Sequence, residues 1–323
     1  MKVCFTTYIY GDNYQDYIPL ILYSVYKSYP EYSVILFVNG LVREDIKYSI
    51  ESIRKYYGNF EIVENTFDDC PSMNSLKAQS LRWVLWHKRF EEFDYLYYID
   101  SDILYIREPI PMHIQHMKHM DFIQSDCASN ILRKKILSNT DFVSMYFAYK
   151  YGGWRTFIEY LKASSVYRMS GIHFVKVNTY FKYLNSNIRD KYKEGIYNGR
   201  AFIATKFADN EALLYNMMKE AGCNMKVFAI QNTSISMFGF NMQERKEFCP
   251  HHGIHLGLFR VAISEFQQWR KAQLDSADYS YYIEIFVKDY MNDPKFKAIK
   301  KIFSKKLILV FNRMYAYYKI KEK

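Results

Sequence analysis

Within the first 105 residues, short apolar runs alternate with segments whose apolar residues recur at helical spacing. "MKVCFTTYIY" reads as a buried strand, "YIPLILYSVYKSY" as a helix stopping before Pro30, and "SVILFVN" as a second strand. "REDIKYSIESIRKYY" is a helix with Ile46, Ile50 and Ile53 on one side, and "FEIVEN" is a third strand. "LKAQSLRWVLWHKRFEEF" predicts a helix and "YLYYID" a fourth strand. Strands apolar along their whole length, each followed by a crossover helix, form a parallel sheet covered on both faces. The expected fold class is therefore α/β. Further along, "DFIQSD", "SGIHFVKVN" and "CNMKVFAI" read as strands, and "DNEALLYNMMKEAG" as a helix capped by Asp209 and closed by Gly222.

The fourth strand ends on Asp100-Ser101-Asp102. Two carboxylates one residue apart either sit solvated at a strand end or share a cation. Open α/β sheets bind ligands at the carboxyl ends of their strands, where this pair lies. Mg²⁺ and Mn²⁺ take oxygen ligands, one or two carboxylates among them, and can bridge a diphosphate and stabilise it as it leaves. A sugar-1-phosphate nucleotidylyltransferase is disfavoured, because no glycine-rich phosphate loop follows the first strand.

"YLYYIDSDILYI" resembles the D-x-D segment of nucleotide-sugar glycosyltransferases with the GT-A fold, most of all glycosyltransferase family 8, which includes glycogenin and bacterial lipooligosaccharide galactosyltransferases. Four further segments match in order across roughly residues 1–260. "GDNYQDYIPLILYSVYKSYP" is similar to the family's first βα turn, through Asp12, Asn13 and Tyr14; "AQSLRW" is similar to its helix with a nucleotide-contacting arginine, through Arg82. "SGIHFVKVN" resembles the strand beneath the donor sugar, through Ser170 and Gly171, and "DNEALL" the D-Q-D-x-L motif, through Asp209 and Asn210.

The resemblance implies a GT-A (Rossmann-like), mixed but mainly parallel sheet flanked by helices over residues 1–260, with residues 261–323 as a basic, amphipathic helical extension. It implies a retaining hexosyltransferase using a UDP-sugar donor with Mn²⁺ or Mg²⁺ on Asp100, Asp102 and a histidine, and a saccharide or lipid-linked acceptor in surface polysaccharide or glycolipid synthesis. Asp209 and Asn210 would hold the donor sugar. Thr7, Tyr8, Asp12, Asn13, Arg82, Ser101, Ser170, Gly171 and Arg260 would bind the nucleotide sugar, Arg260 replacing the family's lysine. The family's closing H-x-x-G-x-x-K-P-W is replaced by "CPHHGIHLGLFR". His255 is the first choice of ligand, with His251 and His252 as alternates.

Other readings accompany these. Asp12 and Asn13, or Asp209, could simply cap helices, and Arg82 could be a solvated helix residue. Cys249 with His251, His252 and His255 matches no common zinc spacing. His173, inside a strand, reads as a core histidine. A non-catalytic, membrane-associated nucleotide-binding scaffold is the alternative function.

Of the formal net charge of +10, most sits in residues 288–323, which hold eleven Lys or Arg against three acids. A nucleic-acid groove would spread its charge through the body, so no nucleic-acid partner is expected. In this tail Phe296, Ile299, Phe303, Leu307, Val310, Met314 and Tyr317 form a stripe at helical spacing. The stripe suits an anionic membrane surface, packing on the body of the protein, or a dimer contact. Five scattered cysteines without a C-x-x-C, and no apolar leader at the N-terminus, imply a cytoplasmic protein, peripheral on the inner membrane face if the tail binds lipid.

Overall fold

The computed structural model describes residues 1–125, 127–128, 133–136, 165–169, 173–204, 210–224, 252–265, 274 and 277–321, with isolated helical positions between 146 and 158. The chain opens with β1 (Val3–Ile9), the single turn α1 (Asp12–Gln15), α2 (Tyr17–Ser28), β2 (Ser33–Val38), α3 (Glu44–Arg54) and β3 (Phe60–Val63). There follow α4 (Ser75–Leu81), β4 (Tyr95–Tyr98), β5 (Ile103–Tyr105), α5 (Met112–Ile123), β6 (Cys127–Ala128), β7 (Arg133–Ile136), β8 (Ser165–Arg168) and β9 (His173–Lys176). Then come α6 (Val177–Tyr183), α7 (Ser186–Tyr197), α8 (Arg200–Ala204), α9 (Asn210–Glu220), β10 (Gly253–His255), α10 (Ala277–Ile285), α11 (Pro294–Lys300) and α12 (Lys305–Lys321).

Two expected elements differ. The helix expected over 76–93 stops at Leu81 and continues as two 3-10 turns, Arg82–Val84 and Lys88–Glu92. Leu81, Trp83, Val84 and Leu85 are all buried, and one helical stripe cannot bury four residues so closely spaced. His87 starts the second turn by accepting from the Arg89 amide. "DFIQSD" is not a strand: Asp121–Ile123 complete α5, which ends where Gln124 turns left-handed at φ 47. In "CNMKVFAI", residues 225–230 lie outside the described residues, as does Asp209 ahead of α9.

By contacts the chain forms two interleaved compact units, one of residues 1–8, 67–98 and 116–231, the other of 9–66, 99–115 and 232–323. In the first, strands lie in the order β1-β4-β9-β6. β1 and β4 are parallel, with Val3 opposite Tyr95; β9 runs antiparallel to both β4 and β6. Phe5, Tyr97, Phe174 and His116 pack together in this unit, as do Trp83, Tyr98, His173 and Tyr180. This gives the α/β fold with a mixed sheet, the antiparallel component entering through β9.

In the second unit β2 and β3 are parallel, and β5 and β10 form an antiparallel ribbon. Helix α2 is buried on nearly every side, which its continuous apolar sequence allows. Ser28, at its end, and Tyr290 both donate to the Tyr105 carbonyl at the end of β5. All seven residues of the tail stripe are buried. Phe296 alone touches Tyr23 of α2, Phe286 and Phe311, with ring centroids 5.5–5.6 Å apart. Asp293 caps α11 through the Lys295 amide and accepts from Tyr23 and Lys27. The stripe therefore packs on the body, and the membrane-surface reading loses the apolar face it required. Among the described residues no helix is long and apolar enough to cross a membrane. Phe296→Ala should lower stability by about 3–5 kcal/mol, the usual cost of removing a buried phenyl ring. Urea denaturation of the full chain checks this, and a change under 1 kcal/mol would make the tail a peripheral appendage.

Candidate functional site

Asp100-Ser101-Asp102 forms the turn between β4 and β5, the fourth strand ending at Tyr98, two residues earlier than expected. The β5–β10 register then selects the histidine. His255 lies opposite Ile103, and the Leu256 amide donates to the Asp102 carbonyl at 2.8 Å. His255 Nε2 consequently lies 3.2 Å from Asp102 Oδ1. A 3-10 turn, Leu256–Phe259, folds the chain back so that Arg260 Nη2 donates to Asp102 Oδ2 at 2.9 Å.

Two glycines make this approach possible. A Cβ on Gly253 would stand 2.1 Å from the Leu104 carbonyl oxygen, so only glycine allows the ribbon to close there. A Cβ on Gly257 would stand 2.9 Å from Asp102 Oδ2 and 3.0 Å from His255 Nε2. Glycine at 257 thus lets the backbone pass close against both side chains.

The charges reinforce one another. Burial pushes the Asp102 carboxyl up, but His255 and Arg260 outweigh it and hold its pKa at about 2. Burial pushes the His255 imidazole down, but Asp102 and then Asp100 outweigh it and raise it above its ordinary 6.5. Asp100 thus acts on the same imidazole as Asp102. Arg260 also donates to the Tyr17 hydroxyl, and its guanidinium lies 5.6 Å from the Tyr14 ring centre. Burial raises the Tyr17 phenol. Carboxylates with an imidazole are a donor set for Mn²⁺ or Mg²⁺. Among the described residues, however, no three His, Cys, Asp or Glu side chains are gathered closely enough to hold a metal ion as they stand.

A buried network anchors the entry to β10. Glu108 accepts from His252 Nδ1 at 2.9 Å, and also from Tyr282 and Gln115. His252 is fully buried and left-handed at φ 52, a conformation costing a non-glycine residue about 1 kcal/mol or more. Its carbonyl accepts from the Ile106 amide, extending the ribbon. His252 is thereby a structural residue and not the alternate metal ligand; His251 and Cys249 lie outside the described residues. Sequence reasoning missed Gly257, Glu108 and Tyr17. Gly257 carried a signal in the spacing His255-Leu256-Gly257, whereas Glu108 carried none, because its partners lie up to 174 residues away.

The other predicted residues divide. Asn13 lines a cavity of about 410 Å³ with Tyr14, Tyr17 and Arg260, while Asp12 is exposed and its carbonyl accepts from Arg43. Ser101 is half-buried in the turn. Thr7 is buried in β1, and Tyr8 packs on Phe67. Arg82 is buried in the first unit, its guanidinium 4.1 Å from the Trp83 ring centre. It is not a solvated helix residue. His173 is a core histidine held well down, at about 3, by burial and the Arg82 charge. Asn210 opens α9. Asp209, Ser170 and Gly171 lie outside the described residues.

No protein-family model matches the chain, and no curated protein matches it in sequence. Among solved structures, the chain is similar to the mannosyltransferase Ktr4p from S. cerevisiae in complex with GDP. The identity is 11% and the TM-score 0.41, over 66% of this chain and 65% of that one. It is similar to the galactosyltransferase LgtC in complex with donor and acceptor sugar analogs at 15% identity and TM-score 0.31, over 64% and 70%. It is similar to the bifunctional glycosyltransferase WbbM at 11% and 0.40, over 93% of this chain and 51% of that one. The chain spans just under two thirds of the yeast protein and about half of WbbM.

Two predictions follow from the geometry. Glu108→Ala strands three buried polar partners and should destabilise the fold by about 3 kcal/mol or more at neutral pH, read by urea denaturation. Titration of the Asp102–His255 pair should shape stability against pH. Asp102, depressed from 3.8 to about 2, contributes above pH 3.8 and loses its contribution as pH falls toward 2. His255, raised above 6.5, contributes fully below 6.5 and loses its contribution as pH rises through its folded value. NMR titration of metal-free protein should find His255 above 6.5, and Asp102→Asn should drop it toward or below that value. An unshifted His255 in wild-type protein contradicts the pairing.

Proposed function

We propose that this chain is a metal-assisted glycosyltransferase of the GT-A kind. In this reading it moves a hexose from a nucleotide-diphosphate sugar, a UDP-sugar foremost, to a saccharide or lipid-linked acceptor with retention, in surface polysaccharide or glycolipid synthesis. One observation carries it: Asp102 and His255 meet across the bare Cα of Gly257, with Arg260 on the other carboxylate oxygen. The ordered motif set from Asp12 to Arg260 supports it, since the segments that resemble the family include those that meet here.

The residues fit the metal by their chemistry. Asp100, Asp102 and His255 would hold Mn²⁺ or Mg²⁺. The bound cation supplies Lewis-acid stabilisation of the departing diphosphate. Asp102 is ionised throughout the physiological range. His255 must give up its proton to become a ligand, so metal affinity rises with pH. Arg260 presents a fork suited to phosphate oxygens, and Tyr17 fixes the guanidinium from the side. Asp209 and Asn210 would orient the sugar hydroxyls, with Ser170 and Gly171 beneath the ring. Thr7, Tyr8, Asp12, Asn13, Ser101 and Arg82 would complete the donor site. No protein nucleophile is assigned. The acceptor hydroxyl attacks from the face the diphosphate leaves, and the leaving oxygen accepts its proton.

A second reading is favoured by one observation. Both Asp102 oxygens are occupied by protein cations, as in a non-catalytic nucleotide-binding scaffold whose carboxylate serves structure alone. A hydrolysis screen with Mn²⁺ against UDP-glucose, UDP-galactose, UDP-N-acetylglucosamine and GDP-mannose separates the two. The transferase should hydrolyse one donor slowly. Asp102→Asn or EDTA should lower that rate by about 100-fold or more, roughly 2.7 kcal/mol of barrier. UDP binding without turnover of any donor establishes the scaffold, and activity untouched by either treatment removes the metal assignment.

A further inference from the structure

The cavity beside Arg260 has a second wall, and that wall comes from the C-terminal helix. Lys306, Leu309 and Arg313 of α12 line it opposite Tyr14, Tyr17 and Arg260. Among the described residues the lining holds three cations and no carboxylate. Arg260 is balanced by Asp102. Lys306 is exposed and has neither an ion pair nor a hydrogen bond among the described residues. Arg313 donates only to backbone carbonyls there, those of Phe259 and Arg260. Two positive charges thus line a concave space with no carboxylate among its described lining residues. Apolar walls of Leu307 and Val310 keep the local dielectric low, which strengthens the field inside. Tyr14 and Leu309, 36% and 46% exposed, add apolar surface at the same place.

We propose that this cavity binds a phosphate or diphosphate group, with Lys306 and Arg313 of the C-terminal helix as its cationic contacts and Arg260 shared between the group and Asp102. The tail then has a use beyond packing. Its buried stripe places α12, and its next face presents charge to the anion. Arg313 has two roles. It closes the carbonyls at the end of the 3-10 turn, which sets where Arg260 emerges, and its side chain lines the cavity. Lys306 is a point charge whose side chain no packing requires.

The proposal deepens the transferase reading by naming the phosphate-bearing part of its substrate as the occupant, but the cavity's affinity for an anion does not require that reading. The test therefore uses full-length protein with EDTA and no donor. Calorimetric titration with pyrophosphate at low salt should show binding, inorganic phosphate should bind more weakly, and UDP should compete with pyrophosphate if the donor is the source. Lys306→Glu should weaken pyrophosphate at least 10-fold. Lys301→Glu, an equal charge change at an exposed tail position outside the cavity lining, should leave it within 2-fold. Asp102→Asn releases Arg260, so pyrophosphate should bind as tightly or more tightly while Mn²⁺-dependent donor hydrolysis is lost. No pyrophosphate binding in EDTA, or equal weakening by Lys306→Glu and Lys301→Glu, overturns the cavity as the site. Binding that follows the expected pattern in a protein that hydrolyses no donor upholds the cavity and refutes the transferase.

Discussion

The carboxylate of Asp102 sits 10% exposed between an imidazole and a guanidinium, one on each oxygen. Removing a carboxylate from water costs several kcal/mol unless opposite charge meets it. Both cations help to hold it ionised, and both are delivered by one short stretch of chain. That stretch works only because β10 pairs with β5 in a single register. A slip of one residue would turn His255 to the other face of the ribbon. Gly253 permits the pairing and Gly257 permits the two side chains to approach.

Support for this arrangement extends outward through the second unit. Glu108 and His252 tie the start of β10 to α10 through Tyr282, and His252 accepts a left-handed backbone to make the contact. Arg313 of α12 reaches the carbonyls that close the turn carrying Arg260. The C-terminal helices are therefore coupled to the site by hydrogen bonds as well as by the Phe296 cluster. Their excess of lysine and arginine follows from geometry, because the apolar residues face inward and the long cationic side chains keep their heads in water.

The arrangement has consequences for how a cation would enter. The protein's own cations neutralise Asp102, so a divalent ion bound there would compete with the proton on His255 and with Arg260. Asp100 adds negative potential to the same imidazole and favours its charged form. Metal affinity in such a site is linked to pH through His255 and to anion occupancy through Arg260, since a phosphate drawing Arg260 away frees one oxygen of Asp102. Under the proposed assignments, linkage of this kind would make metal and diphosphate bind cooperatively.

Much of the first 105 residues was legible locally. Continuous apolar runs at "VCFTTYI" and "SVILFV" and the 3.6-residue spacing of Ile46, Ile50 and Ile53 express burial that the chain declares on its own. The D-S-D turn was legible because it ends an apolar strand, and His255 was the first choice because it precedes Leu256-Gly257 in an apolar context. The break after Leu81 was not legible, since the number of sides on which Trp83 and Leu85 are buried depends on what packs around them. The choice among the three closely spaced histidines was open for the same reason. His252 and His255 have similar local sequences, and only the register of β10, with Glu108 waiting on one side and Asp102 on the other, separates a core residue from a site residue. Periodicity likewise showed that the tail had an apolar stripe but could not say against what. Sequence determined which residues prefer to leave water. The tertiary structure decided what they meet, because pairings across 144 to 270 residues of chain are set by packing and carry no local signal.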